Sequence, residues 1–243
     1  MSYINDFYED TAERFWDPEL GPVGRDIHTL PLIDNNLNGS FLEYGFGSAS
    51  FLFQVAKTKN FDSVIGVDIS NSVIEKAENN KNKINKDYCK KLSFQTPDDS
   101  GEKIPNIDSG SIDCIATLAT IEHVLNPYAV LDELHRVGSK ESTLICTVPN
   151  ITYIKHRAQL LFGILPITGT SAPVEDWRKA GWDGMHIHYF TKKTLAILLR
   201  DCGWEPIKWT GWGTKFSFLL PLRKKFPSIW SGEITAICKK NNK

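Results

Sequence analysis

Three groups of residues carry chemistry by their type and spacing. The first is Glu43-Tyr44-Gly45-Phe46-Gly47-Ser48-Ala49, set between the apolar run Ser40–Tyr44 and a helix-length segment from Ala49 to Lys57. Glycines at 45 and 47 permit a tight turn and let a ligand approach the backbone closely. A helix beginning near Ala49 presents unpaired N–H groups at the same place. The second is Asp68, which ends the run Ser63–Asp68 (SVIGVD), with Ser70 behind it as a helix cap. The third is a set of histidines, His123, His186 and His188.

An acid at the carboxyl end of a first strand faces the ligand crevice of an open α/β sheet. At Glu43 a pyrophosphate meets a like charge and an ammonium meets an opposite one. The loop therefore favours an aminoacyl-type cation, such as the methionine end of S-adenosylmethionine, over a dinucleotide. Asp68 has the position of an acid that accepts hydrogen bonds from two ribose hydroxyls. It has equally the position of a turn-former before Ser70. Imidazole is the usual base near neutral pH, so His123 is the candidate catalytic base. A helix-start histidine bonded to backbone has the same sequence signature. His186 and His188 point to one side if their segment is extended, and with His123 they make a loose set of potential metal ligands. The sequence assigns no metal. Tyr8, Arg157, Trp177, Trp182, His186 and His188 are the candidate substrate contacts, and Arg25 could reach a ligand carboxylate.

Positioning these residues requires alternating strands and helices. Strands are expected at Ser40–Tyr44, Ser63–Asp68, Lys91–Gln95, Ser111–Thr117, Ser142–Val148, Trp204–Thr210 and Glu233–Lys239. Helices are expected at 49–57, 71–82, 127–136 and from the Thr191 cap to near Cys202. That rhythm implies βαβ units and a parallel sheet covered on both faces, doubly wound by the right-handed crossover rule. Four segments follow: 1–39 as an N-terminal helical lid, 40–149 as a cofactor-binding core, 150–190 as a loop-rich insertion that binds substrate, and 191–243 as the remainder of the sheet. A chain of 243 residues buries a sizeable core without staples. A net charge of -1 recruits neither nucleic acid nor anionic lipid. Five cysteines, odd in number and without a CxxC pair, argue against a disulfide framework or zinc ribbon. The acidic, polar N-terminus is no signal peptide, and the apolar stretch Leu160–Ile167 is too short for a bilayer. The expected setting is the cytoplasm, with no membrane and no nucleic acid as partner.

Taken together, the segments EYGFGSA, VIGVDIS, SGSIDCIATLATIEHVLNPYAVLDELHRV, LICTVPN and HIHYFTKKTLAILLRDCGW resemble the class I S-adenosylmethionine-dependent methyltransferases, in their small-molecule branch. Ala49 stands where that family usually has a third glycine. The resemblance covers 40–150 and 186–210. It implies a Rossmann-like doubly wound sheet of seven strands, the last antiparallel. It also implies S-adenosyl-L-methionine as cofactor, with Glu43, Gly45 and Gly47 at its methionine end and Asp68 on its ribose. Ile69 would then pack on the adenine, Asp98 or Asp99 would meet the adenine amino group, and Leu118 and Ala119 would line the sulfonium. The implied activity is methyl transfer to a small molecule, most readily to oxygen, in a sugar or a nucleotide- or phosphate-linked precursor of a surface polysaccharide. The competing expectations are a cofactor-binding regulatory module without catalysis and an NAD-dependent oxidoreductase.

Overall fold

A computed structural model describes Pro22 and residues 24–169, 186–213 and 217–241. Tyr8, Trp177 and Trp182 lie outside the described residues. Seven strands form one sheet: β1 (Ser40–Tyr44), β2 (Ser63–Val67), β3 (Leu92–Gln95), β4 (Ile112–Leu118), β5 (Gly138–Pro149), β6 (Trp204–Trp212) and β7 (Glu233–Lys240). Their order is β3-β2-β1-β4-β5-β7-β6. Strands β3, β2, β1, β4 and β5 pair in parallel, whereas β7 is antiparallel to both β5 and β6. The expected Rossmann-like topology is present, including the reversed last strand.

Alternating apolar residues explain why the sheet is buried on both faces. Leu42, Ile115 and Leu144 join one core with Leu131, Leu195 and Trp204, while their neighbours Phe41, Cys114 and Ile145 join the other with Phe51, Leu52 and Val55. Trp204 is fully buried, and its indole N–H donates to the Leu131 carbonyl at 3.2 Å, so no polar group is stranded there. The helices begin where their capping residues stand. In α1 (Arg25–Thr29) no side chain caps the start, but Ser70 accepts from the Val73 N–H ahead of α3 (Asn71–Ile84), and Asn126 accepts from the Ala129 N–H ahead of α4 (Pro127–Val137). Thr191 and Thr194 form a reciprocal capping box on α6 (Lys192–Asp201).

Several boundaries differ from the sequence expectation. Helix α2 runs Ser50–Thr58, because Ala49 is its left-handed N-cap and not its first residue. Strand β5 starts at Gly138, directly from the end of α4 and well before Ser142. The segment expected to be loop-rich contains α5 (Ile154–Leu161), which Gly163 terminates in the left-handed region at φ 69. Two short helices, α7 (Leu220–Lys225) and α8 (Pro227–Trp230), precede β7 and were not legible in the proline-interrupted sequence. Among the described residues no helix is long and apolar enough to cross a membrane.

Candidate active site

The chain leaves β1 towards β2 on one side and returns through β4 towards β5 on the other, so the crevice opens between the carboxyl ends of β1 and β4. Glu43 lies on β1 opposite Gly66 of β2 and Ala116 of β4, and it is buried. Its Oε2 has no hydrogen-bond partner among the described residues. Burial pushes its carboxyl well above the usual range, Asp26 and Asp68 push it further, and Arg25 opposes them. Ionised, such an acid is costly, and either a proton or a cation relieves the cost.

The turn after Glu43 explains the two glycines. Gly45 has φ 74, and a Cβ there would lie 2.2 Å from Thr120 Cγ2, so only glycine fits between β1 and the exit of β4. Gly47 has φ 52 with open space where a Cβ would stand. Gly47 is exposed, and no described residue crowds that position. Among the described residues, two of the three non-glycine residues in the left-handed region, Ala49 and Ala119, flank this crevice. Positive φ at such residues carries backbone strain, which concentrates at functional sites.

Asp68 sits just past β2. Its Oδ2 accepts from the Gly47 N–H at 2.9 Å and its Oδ1 from the Ser70 N–H at 3.1 Å, so it ties the glycine turn to the start of α3. Ile69 is half-buried beside Gly101, whose carbonyl accepts from the Tyr44 hydroxyl. Asp98 spends its carboxylate on its own loop: Oδ1 accepts from the Ser100 hydroxyl at 2.7 Å and from the N–H groups of Glu102 and Lys103, each at 3.1 Å. Asp99 is exposed. Leu118 ends β4, and the Ala119 N–H is held by the Thr147 carbonyl at 2.8 Å.

Beyond Thr120 the chain carries Ile121, Glu122 and His123. Glu122 is buried, and neither of its carboxylate oxygens has a hydrogen-bond partner among the described residues. Burial pushes its pKa up to about 8. Its backbone carbonyl accepts from the N–H groups of Ile187 and His188 at 3.0 and 3.1 Å, which clamps the segment bearing His186 against this loop. The His123 and His186 rings meet edge to face with centroids 4.6 Å apart, and His123 Nε2 lies 4.0 Å from Glu122 Oε1. Thr168 Oγ1 is 2.6 Å from His186 Nδ1. His188 is half-buried, as an extended segment requires, but its Nε2 donates to the Val124 carbonyl at 3.0 Å. Arg157 is exposed, and its Nε donates to the Thr152 carbonyl at 2.7 Å.

The structure thus brings His123 and His186 together, near the glycine turn through Thr120, and directs His188 and Arg157 to backbone carbonyls. Sequence reasoning missed Thr168 and the buried pair Asp26 and Ser50, whose side chains hydrogen-bond beneath the glycine turn. No local pattern marks them, since their partners are distant in sequence. It also missed how deeply Glu122 is buried. For this acid the folded-state pKa exceeds the ordinary value of 4.5. Its ionisation therefore opposes folding: stability is greatest below about pH 4.5 and is lost as the pH rises towards about 8. With chelator present, Glu122→Gln should raise the melting temperature at pH 8 by about 2–8 °C and much less at pH 5. A melting difference that does not grow with pH would place the Glu122 charge in a solvated or paired setting.

A family model for a methyltransferase domain matches residues 13–208. No curated protein matches the chain. Among solved structures, it is similar to an S-adenosylmethionine-dependent methyltransferase from Thermotoga maritima, described as a possible histamine N-methyltransferase, at 18% identity and TM-score 0.66, covering 99% of this chain and 100% of that one. It is similar to a putative methyltransferase from Haloferax volcanii, solved in complex with the activator Trm112, at 14% identity and TM-score 0.63, covering 100% of this chain and 99% of that one. It is also similar to phosphoethanolamine N-methyltransferase 2 of Haemonchus contortus, solved with S-adenosyl-L-methionine, at 13% identity and TM-score 0.65, covering 100% of this chain and 61% of that one. At such identities the likeness establishes the fold, and the family match establishes the activity class and with it the cofactor, S-adenosyl-L-methionine. The buried Glu43, whose Oε2 lacks a hydrogen-bond partner among the described residues, fits a ligand with an ammonium group and does not suit the pyrophosphate of NAD. The chain belongs to the class I S-adenosylmethionine-dependent methyltransferases.

Proposed function

We propose that this enzyme methylates a hydroxyl of a small molecule, with the acceptor's proton removed at His123. The observation that carries the reading is the His123–His186 pair, with rings 4.6 Å apart, next to the turn that holds the cofactor. When bound, the cofactor supplies an electrophilic methyl group on a good leaving group. The chain's own residues then have three tasks. Glu43, Gly45 and Gly47 would hold the amino-acid end, and Asp68 the ribose. Ile69 would face the adenine, with Asp99 the more accessible of the two candidate acids for its amino group. Leu118 and Ala119 would line the reacting end, where placement of the acceptor supplies several kcal/mol. His123 would take the proton that an attacking hydroxyl must lose, a task that suits imidazole near neutral pH.

The acceptor class rests on the closing segment HIHYFTKKTLAILL, which is similar to methyltransferases of polysaccharide pathways. A sugar or a nucleotide- or phosphate-linked precursor of a surface polysaccharide fits it, with His186 as the substrate contact nearest His123, and Arg157, His188, Tyr8, Trp177 and Trp182 as further candidates. All five cysteines are buried and none forms a disulfide, in keeping with a cytoplasmic setting. Incubation with methyl-labelled cofactor and a panel of nucleotide sugars and phosphorylated sugars should place the label on a hydroxyl oxygen. Label found only on amines or thiols of a broader acceptor panel would overturn the reading.

A further inference from the structure

We propose that Glu122, His123 and His186 form a binding site for one divalent transition-metal ion of the zinc type. The proposal deepens the O-methylation reading and rests on it for its role in catalysis, with the ion taking over from His123 the activation of the hydroxyl. One ligand atom from each of the three side chains lies within 4.8 Å of the other two. Two ligands of one zinc ion, each about 2.0–2.2 Å from it, stand roughly 3–3.5 Å apart. Small side-chain rotations therefore close the set. Two imidazoles and one carboxylate make a three-ligand set that leaves a coordination position open, as catalytic sites require.

The rest of the molecule makes this set distinctive. The sequence has six histidines. His28 stacks on Trp212, His135 meets the Asn241 carbonyl, His156 meets the Asn150 carbonyl and His188 meets the Val124 carbonyl. The other two, His123 and His186, come from segments 63 residues apart in sequence and converge on one buried acid. That acid is the second, independent observation. Glu122 is 1% exposed, and both of its oxygens lack a hydrogen-bond partner among the described residues. A buried carboxylate in that state is expensive, and a cation shared with two imidazoles neutralises it. The clamp of the Glu122 carbonyl on the Ile187 and His188 N–H groups holds the two segments in register before any ion arrives. Thr168, hydrogen-bonded to His186 Nδ1, orients that ring in the manner of an outer-shell partner. No cysteine competes, because all five are buried.

The site lies beside Thr120, which packs against Gly45, and therefore at the reacting end of the cofactor crevice. There a cation would bind the acceptor oxygen and lower the pKa of its hydroxyl. The hydroxyl proton would pass to solvent, and His123 would act as a ligand while the ion is bound.

The test is a calorimetric titration of the full, tag-free chain with Zn²⁺, first stripped by chelator and without cofactor or acceptor. One site per chain is expected. His186→Ala and Glu122→Gln should each weaken it at least about ten-fold, whereas His135→Ala should leave it unchanged. Zn²⁺ should raise the melting temperature of the native chain and not that of His186→Ala, a comparison that remains informative if a variant binds too weakly for calorimetry. Absence of a stoichiometric site, or equal affinity in a folded His186→Ala chain, would overturn the proposal. Metal-stripped enzyme should keep its cofactor affinity and lose transfer to hydroxyls until Zn²⁺ is restored. Full-rate transfer to a hydroxyl by stripped enzyme would remove the ion's role and leave the O-methylation reading standing. A confirmed zinc site in a chain that methylates only amines would do the reverse.

Discussion

His123→Gln should bind cofactor as the native enzyme does and turn over its acceptor on the order of 10²–10⁴ times more slowly. The side chain is half-buried at the carboxyl side of β4, with His186 at its edge and the Glu122 carboxylate 4.0 Å from its Nε2. Glutamine keeps a polar side chain of similar reach but neither accepts a proton at neutral pH nor makes a good transition-metal ligand. The loss is therefore expected whether the imidazole takes the proton itself or holds an ion that acidifies the hydroxyl. The pH profile separates these. If imidazole is the base, the defect eases as the pH rises and the acceptor ionises unaided, and added Zn²⁺ changes nothing in the native enzyme. If imidazole is a ligand, the native enzyme loses its rate to chelator. Steady-state kcat with cofactor affinity measured separately checks the result. Turnover by His123→Gln close to the native rate would move the base elsewhere, and His186 would be the next residue to replace.

Asp68→Ala should weaken the cofactor by roughly ten- to a hundred-fold. Loss of a charged acceptor for ribose hydroxyls costs about 1.5–3 kcal/mol, and about 1.4 kcal/mol is a factor of ten. The structure gives this acid a further task, because it accepts from the Gly47 and Ser70 N–H groups. Alanine leaves both donors to water and loosens the glycine turn, so part of the lost affinity comes from disorder in the turn. Asp68→Asn divides the two contributions. The amide oxygen can still accept from one of the two N–H groups, so half of the tie between the turn and the helix start is kept while the charge and one acceptor are lost. Titration calorimetry with S-adenosyl-L-methionine should place Asp68→Asn between the native chain and Asp68→Ala. Unchanged affinity in a folded Asp68→Ala chain would leave Asp68 as a turn-former alone.

The division between local and tertiary information runs through particular residues. The order of strands and helices was legible because alternating apolar residues such as Phe41 and Leu42, or Leu144 and Ile145, must face opposite cores. The caps Ser70 and Thr191 were legible because a hydroxyl that accepts from the third N–H onward is a local interaction. Glycines 45 and 47 were legible as a turn for the same reason. Their unequal surroundings were not: Gly45 is required by Thr120, seventy-five residues away, whereas at Gly47 only the backbone, at φ 52, asks for glycine.

The helix Ile154–Leu161 was hidden by the glycines and prolines that surround it, although its own residues form helix readily. Among the candidate site residues, the sequence by itself determined a glycine turn with an acid on either side, because spacing along a strand and turn places them. It also determined that histidines at 123, 186 and 188 were available. Only the tertiary structure decided which of these meet. The Glu122 carbonyl clamps the segment after 185, setting His186 against His123 and leaving His188 to the Val124 carbonyl. It also decided the state of Glu43 and Glu122, since burial and an absent hydrogen-bond partner are properties of packing between distant segments. Desolvation then raises both carboxyls, so what the sequence displays as an ordinary glutamate becomes, in the fold, an acid that holds its proton more tightly.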